Sequence, residues 1–170
     1  YHGRVDMHRG VMSLPMILAG LHSQGVEATL HIHGTGDAVE RLKSMELEGL
    51  EVTDALPQDD LAKLLSKYDV GLLPMPDKKV WSLASPLKRS EYLACGMVVC
   101  GIDHAGHRID NSGDWLQLFS QKEFIANTVS WLKSLDRDRL SALQQESRTY
   151  AEENLSWAHS VDALESIILS

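Results

Sequence analysis

Apolar residues along this chain follow two periods in turn. Val11, Leu14, Leu18 and Leu21 recur at helical spacing, and Gly25 is placed to end that helix. Residues 28–33 (ATLHIH) read as a short strand that runs into Gly34, Thr35, Gly36 and Asp37. A helix is predicted from there to about residue 47, then a brief strand over 50–53. Pro57 opens the next helix (QDDLAKLLSKY), and 69–73 (DVGLL) is an apolar run suited to a strand buried on both faces. Ser85 and Pro86 suit an N-cap and a first helical position, so a helix is expected to Cys95, stopped by Gly96. A strand over 97–102, a polar loop over 103–114 and a last strand over 115–119 follow. Helical stretches at 121–134, 136–153 and 157–168 finish the chain. Strands separated by helices imply parallel pairing with right-handed crossovers, hence an α/β doubly wound sheet flanked by helices.

Neither an internal repeat nor a linker interrupts this order, so residues 1–170 read as a single domain. Tyr1 to Arg4 already read as the carboxyl end of a strand, and a natural domain would supply residues before them. The expectation is an excised domain whose upstream half lies elsewhere.

Composition narrows the class. A chain of 170 residues with 44% hydrophobic content and mixed charge is an ordinary globular domain. Its net charge of -8 argues against a general nucleic-acid surface, which needs a basic face. No apolar run approaches the roughly 20 residues of a membrane span, and no signal-like segment is present, so the expected location is cytoplasmic. Cys95 and Cys100 lack metal or disulfide spacing and are expected to be buried thiols.

Candidate chemistry gathers at one edge. In open parallel sheets, ligands bind beyond the carboxyl ends of the strands. Residues 3–10, 34–37, 54–57 and 75–88 meet there. They carry Arg4, Arg9 and Lys88 next to predicted helix starts, where free backbone N–H groups attract anions. Taken singly, Arg9 and Lys88 are solvated charges, Glu91 is a surface carboxylate, and Gly34-x-Gly36 is a turn without a full dinucleotide fingerprint. Their joint position points to a phosphate or diphosphate site.

The stretches GRVDMHRG…LPMILAGL, LHIHGTGD, LAKLLSKYDVGLLPM, SPLKRSEYLACGMVV and LSWAHSVDAL occur in that order. Together they resemble the carboxy-terminal, donor-binding domain of the family 4 (group 1) glycosyltransferases, one Rossmann-like half of the two-domain GT-B architecture. The resemblance implies retaining transfer from a nucleotide-activated sugar (UDP-, GDP- or ADP-linked) to an acceptor held by an amino-terminal domain. Gly3, Arg4 and Arg9 match the diphosphate clamp that stabilises the leaving group. Pro86, Leu87 and Lys88 match the turn that faces the distal phosphate, and Glu91 matches the acid that holds ribose. Gly34 matches the family's strand-end turn, and Ala55 and Leu56 fall near the base. Many members have a second glutamate, separated from the ribose acid by seven intervening residues, that contacts the donor sugar, and Leu83 stands in its place. No cofactor and no metal ion is implied. Membrane contact enters only through the missing domain or the acceptor.

Other signals have plainer readings. His31 and His33 share one face of a strand, and His104 and His107 share a loop, but a zinc site needs three or four converging ligands. His33 and His104 are left as weak site candidates. Phe124, Ile125, Val129, Trp131 and Leu132 are read as core or domain-interface packing rather than a membrane face. Exposed apolar surface is expected on the carboxy-terminal helices. Alternatives to a transferase half are a non-catalytic nucleotide-binding module and a nucleotide-sugar epimerase of related architecture.

Overall fold

The computed structural model describes residues 1–84 and 87–168. Strands and helices alternate among them: β1 (His2–Arg4), α1 (Ser13–Ser23), β2 (Leu30–Thr35), α2 (Val39–Lys43), β3 (Leu50–Thr53), α3 (Gln58–Leu65) and β4 (Val70–Leu73). Then come α4 (Lys79–Ser82), α5 (Leu87–Ala94), β5 (Val98–Ile102) and β6 (Leu116–Phe119). The chain closes with α6 (Phe124–Ser134), α7 (Arg137–Asn154) and α8 (Trp157–Ile168). Every strand pairing is parallel, as the alternation of strand and helix requires. Hydrogen bonds join the strands in two halves, ordered β1-β2-β3 and β4-β5-β6. Tyr1 and Leu30 of the first half and Val70 and Leu72 of the second line a common cavity of about 1090 Å³.

The core follows from the sequence periods. β5 is buried along its whole length, which explains its unbroken run of apolar and small residues. In α1, Leu14, Ile17, Leu18 and Leu21 form one buried stripe. Its Gly20 allows α6 to approach, since a β-carbon there would stand 2.7 Å from Val129 Cγ2. The apolar face of α6 is therefore core, with Phe124 and Thr128 fully enclosed. Exposed apolar surface lies on α8, where Trp157, Val161, Leu164 and Ile168 form one stripe and remain 49–84% exposed. Among the described residues no helix is long and apolar enough to cross a membrane.

Three local expectations are corrected. α2 ends at Lys43 instead of reaching residue 47, and the Ser44 hydroxyl donates to Arg41 O across its last turn. A single helical turn, α4, stands in what reads as loop, pinned by the bond from Ser82 Oγ to Asp77 Oδ1. Cys95 is only partly buried, whereas Cys100 is fully enclosed. Burial raises the pKa of both thiols. The N-cap expectation at Ser85 and Pro86 lies outside the described residues.

The loop after β5 is clamped from below. Buried Arg89 of α5 donates Nη1 to Gly106 O and Arg108 O, at 3.2 and 2.8 Å. His107 is fully buried, and its Nδ1–H donates to Ile102 O at 2.7 Å. Burial lowers the His107 pKa from 6.5 to about 4. The unfolded chain therefore binds this proton first, and stability is full above pH 6.5 and falls as pH drops toward 4. Over that window the residue should remove about 3 kcal/mol. Urea unfolding of the wild type and His107→Gln across this range checks it. The variant should show a shallower loss, and parallel curves would exclude His107 as the source.

Candidate functional site

The loop after β1 is built by close backbone approach. Gly34 pairs with Gly3 across β1 and β2, and a β-carbon on Gly34 would overlap Gly3 O. A β-carbon on Gly36 would overlap Val5 O. Gly10 ends the turn Met7–Arg9 in the left-handed region (φ 76°) and lies against Pro74 O, just beyond β4. These contacts bring the ends of β1, β2 and β4 to one edge.

Asp6 organises what the loop presents. Its side chain is 7% exposed, yet it is ringed by donors. Arg4 reaches it with Nε (3.2 Å) and Nη2 (3.0 Å), the Asp37 amide lies at 3.4 Å, and Arg9 Nε lies at 3.5 Å. Burial by itself would raise the Asp6 carboxyl. The bonds from Arg4 and Asp37 and the charges of Arg4 and His8 together hold it below the usual carboxylate range. Arg9 is fixed from a second side, with its guanidinium carbon 4.5 Å from the centre of the Trp81 ring on α4. His8 stacks on the same ring at 5.9 Å.

Lys88 of α5 supplies a third cation. Its ammonium passes over Gly3, where a β-carbon would stand 3.1 Å from Nζ, and lies 5.6 Å from the Tyr1 ring centre. Burial first, and the Arg9 charge second, lower its pKa, while Glu91 opposes them. A cation that is partly desolvated beside another cation gains from a bound anion. Glu91 lies one turn further along α5, with Oε2 3.2 Å from His2 Nε2. The His2 contact, helped by the charges of His2 and Lys88, holds the Glu91 carboxyl low despite its burial.

Thus Gly3, Arg4, Arg9, Lys88 and Glu91 stand together. Leu87 opens α5 and is 70% exposed, and Pro86 lies outside the described residues. Ala55 and Leu56 occupy an exposed loop beyond β3, on the edge shared with β1 and β2. Leu83 is 78% exposed. His33 is already committed, with Nδ1 2.6 Å from Thr53 Oγ1 and Nε2 2.9 Å from Tyr68 Oη. His104 is 3% exposed and packs its ring on His107. Neither histidine is presented to a ligand. Among the described residues no three His, Cys, Asp or Glu side chains stand close enough to hold a metal ion. Sequence reasoning missed Asp6, His2 and Trp81. The spacing Arg4-x-Asp6-x-x-Arg9 could have flagged Asp6, but nothing local signals the other two.

The family profile described as "Glycosyl transferases group 1" matches residues 1–134. No curated protein matches the chain. Three solved structures share the fold. The pneumococcal O-GlcNAc transferase GtfA, in complex with UDP and GlcNAc, aligns with TM-score 0.67 and 16% identity over 89% of this chain and 32% of its own. A mutant of S. aureus TarM, in complex with Fondaparinux, alpha-GlcNAc-glycerol and UDP, aligns with TM-score 0.70 and 11% identity over 99% of this chain and 35% of its own. The catalytic domain of cholesterol-alpha-glucosyltransferase from Helicobacter pylori aligns with TM-score 0.64 and 13% identity, over 89% of this chain and 96% of that one. The chain therefore spans about a third of the length of the first two.

Two glycines separate backbone strain from close contact. Gly10 and Gly25 share a left-handed φ (76° and 74°), but a β-carbon meets Pro74 O at Gly10 and open space at Gly25. Gly25→Ala should cost about 1–2 kcal/mol. Gly10→Ala should cost at least ~1 kcal/mol more through overpacking. Urea titration of both variants is the test, and equal losses would show that the β1 loop retracts freely from β4.

Proposed function

Because the chain belongs to the glycosyl transferases of group 1, we propose that it binds the nucleotide-sugar donor for retaining transfer, with the acceptor held by a second domain. The observation that carries this reading is the set of cations at the end of β1. Arg4 and Arg9 are held by one buried carboxylate, and Lys88 lies over Gly3. A donor diphosphate placed there meets side chains already fixed in position. As the bond between the anomeric carbon and the diphosphate oxygen breaks, negative charge grows on the leaving group. Preorganised cations stabilise that charge more than they stabilise the bound donor, which is the requirement for catalysis. Leu87 and the start of α5 would face the distal phosphate, and Glu91 the ribose hydroxyls. Ala55 and Leu56 would lie by the base, and Gly34 would keep β1 and β2 close enough to form the turn.

The apolar stripe on α8 supports the second domain. A row of Trp157, Val161, Leu164 and Ile168 left in water is the kind of surface that packs against another body. Leu83 favours a donor sugar that is not held through a carboxylate at that position, since an exposed leucine accepts no hydrogen bond.

Titration calorimetry with UDP, GDP and ADP, in the presence of a chelator, tests the site. One of these should bind without a divalent ion. Arg4→Ala or Arg9→Ala should weaken it by about 1.5–3 kcal/mol, the range for hydrogen bonds to charged groups. Absence of binding to all three would overturn the reading, and binding only on addition of magnesium would remove the cations from their role.

The isolated chain should not transfer sugar at a useful rate. Placing the acceptor oxygen at the anomeric carbon can supply roughly 7–11 kcal/mol of barrier reduction, and the residues assembled here all address the donor. Assaying this chain and the full-length gene product with one donor and acceptor decides the point. Comparable turnover would show that the 170 residues are sufficient.

A further inference from the structure

An imidazole stands in β1 where a strand packed on both faces ordinarily carries an apolar side chain. His2 is 7% exposed, and three contacts join it to α5. Its amide donates to Tyr92 Oη at 3.3 Å, its ring meets the Tyr92 ring edge-on at 5.3 Å, and its Nε2 lies 3.2 Å from Glu91 Oε2. No aligned hydrogen bond reaches that buried nitrogen, so the Glu91 carboxylate is the acceptor within its reach. The two partners differ in exposure: the His2 side chain is 8% exposed and that of Glu91 38%. One carboxylate oxygen is thus supported from inside the fold, while the group as a whole still faces the site.

Glu91 has a competing attraction. Lys88 precedes it by three residues on the same helix, a spacing at which opposite charges meet. A Glu91 side chain swung toward Lys88 would neutralise a phosphate-binding cation and withdraw the acceptor from the ribose. We propose that His2 is a positioning residue for nucleoside recognition. It holds Glu91 Oε2, fixes the carboxylate for the two vicinal ribose hydroxyls, and keeps it off the Lys88 ammonium. This rests on the reading that Glu91 holds ribose.

The test compares each of UDP, GDP and ADP with its 2′,3′-dideoxy counterpart by titration calorimetry on this chain. Preference for the ribose form in the wild type, and its loss in Glu91→Ala, establish the Glu91 reading. If Glu91→Ala keeps the preference, that reading fails, and the His2 proposal falls with it. Given a Glu91-dependent preference, His2→Ala should reduce it about tenfold while dideoxy affinity stays near wild type. His2→Phe preserves the buried ring against Tyr92 without a donor, so it should behave like His2→Ala even if the alanine variant folds poorly. His2→Gln retains an N–H donor and should restore most of the preference. Full ribose preference in His2→Phe, with Glu91→Ala lacking it, would overturn the proposal. An equal loss of ribose and dideoxy binding in both His2→Phe and His2→Gln would also overturn it, since that marks a purely structural role.

Discussion

The proposed site depends on one buried carboxylate. Asp6 sits just past β1 with its side chain almost removed from water, a placement that costs free energy unless every acceptor lone pair is used. Arg4 and the Asp37 amide donate to it, and Arg9 stands beside it as an ion-pair partner with Nε 3.5 Å away, so the same contacts that make Asp6 tolerable hold two guanidinium groups at the strand end. The charges are unequal in number. Arg4, Arg9 and Lys88 are gathered with the carboxylates of Asp6 and Glu91, three cations to two anions, in a chain whose net charge is -8. The anion recognition proposed here would need no basic surface, because burial and geometry concentrate a few charges.

That arrangement needs the surrounding backbone to be unusually close. Gly34 and Gly36 let β2 and its following turn press on the β1 loop, and Gly10 lets the same loop touch the end of β4. Trp81 then covers Arg9 from α4, with its ring centre 4.5 Å from the guanidinium carbon. Sequence alone reads Gly34-x-Gly36 as a weak turn. Its physical role is to leave room for Val5 and Asp6, one step removed from any ligand.

Much of the architecture was legible, because periodicity and punctuation are local properties. Residues 50–53 coincide with β3, and Gly96 does stop α5, with φ 72°. The three carboxy-terminal helices were found to within a few residues. What escaped was decided at a distance. α4 is a single turn stabilised by side-chain bonds and by contacts to the β1 loop, and four residues carry no period to detect. The strands hydrogen-bond as two sets of three, β1-β2-β3 and β4-β5-β6, a division that no strand pattern reports. Cys95 was placed inside because cysteine is an inward-preferring residue, but the turn after α5 leaves it on a partly open face.

The proposed site was legible to a different depth. Arg4, Arg9, Lys88 and Glu91 were identified by their common place at the strand ends, and the structure brings them together. The groups behind them were not: Asp6 has Arg4 and Arg9 within three residues and left a local trace, whereas His2 lies 89 positions from Glu91, to which the fold alone brings it. For His2, a polar residue within a buried strand is the only sequence trace, and it carries no direction. This asymmetry has a physical origin. A ligand-facing charge must sit at an edge that the topology makes predictable, whereas the group that orients it can come from any element packed behind. Supporting residues are therefore read from packing and unmatched polar atoms, and in this chain the packing behind Glu91 leads to His2.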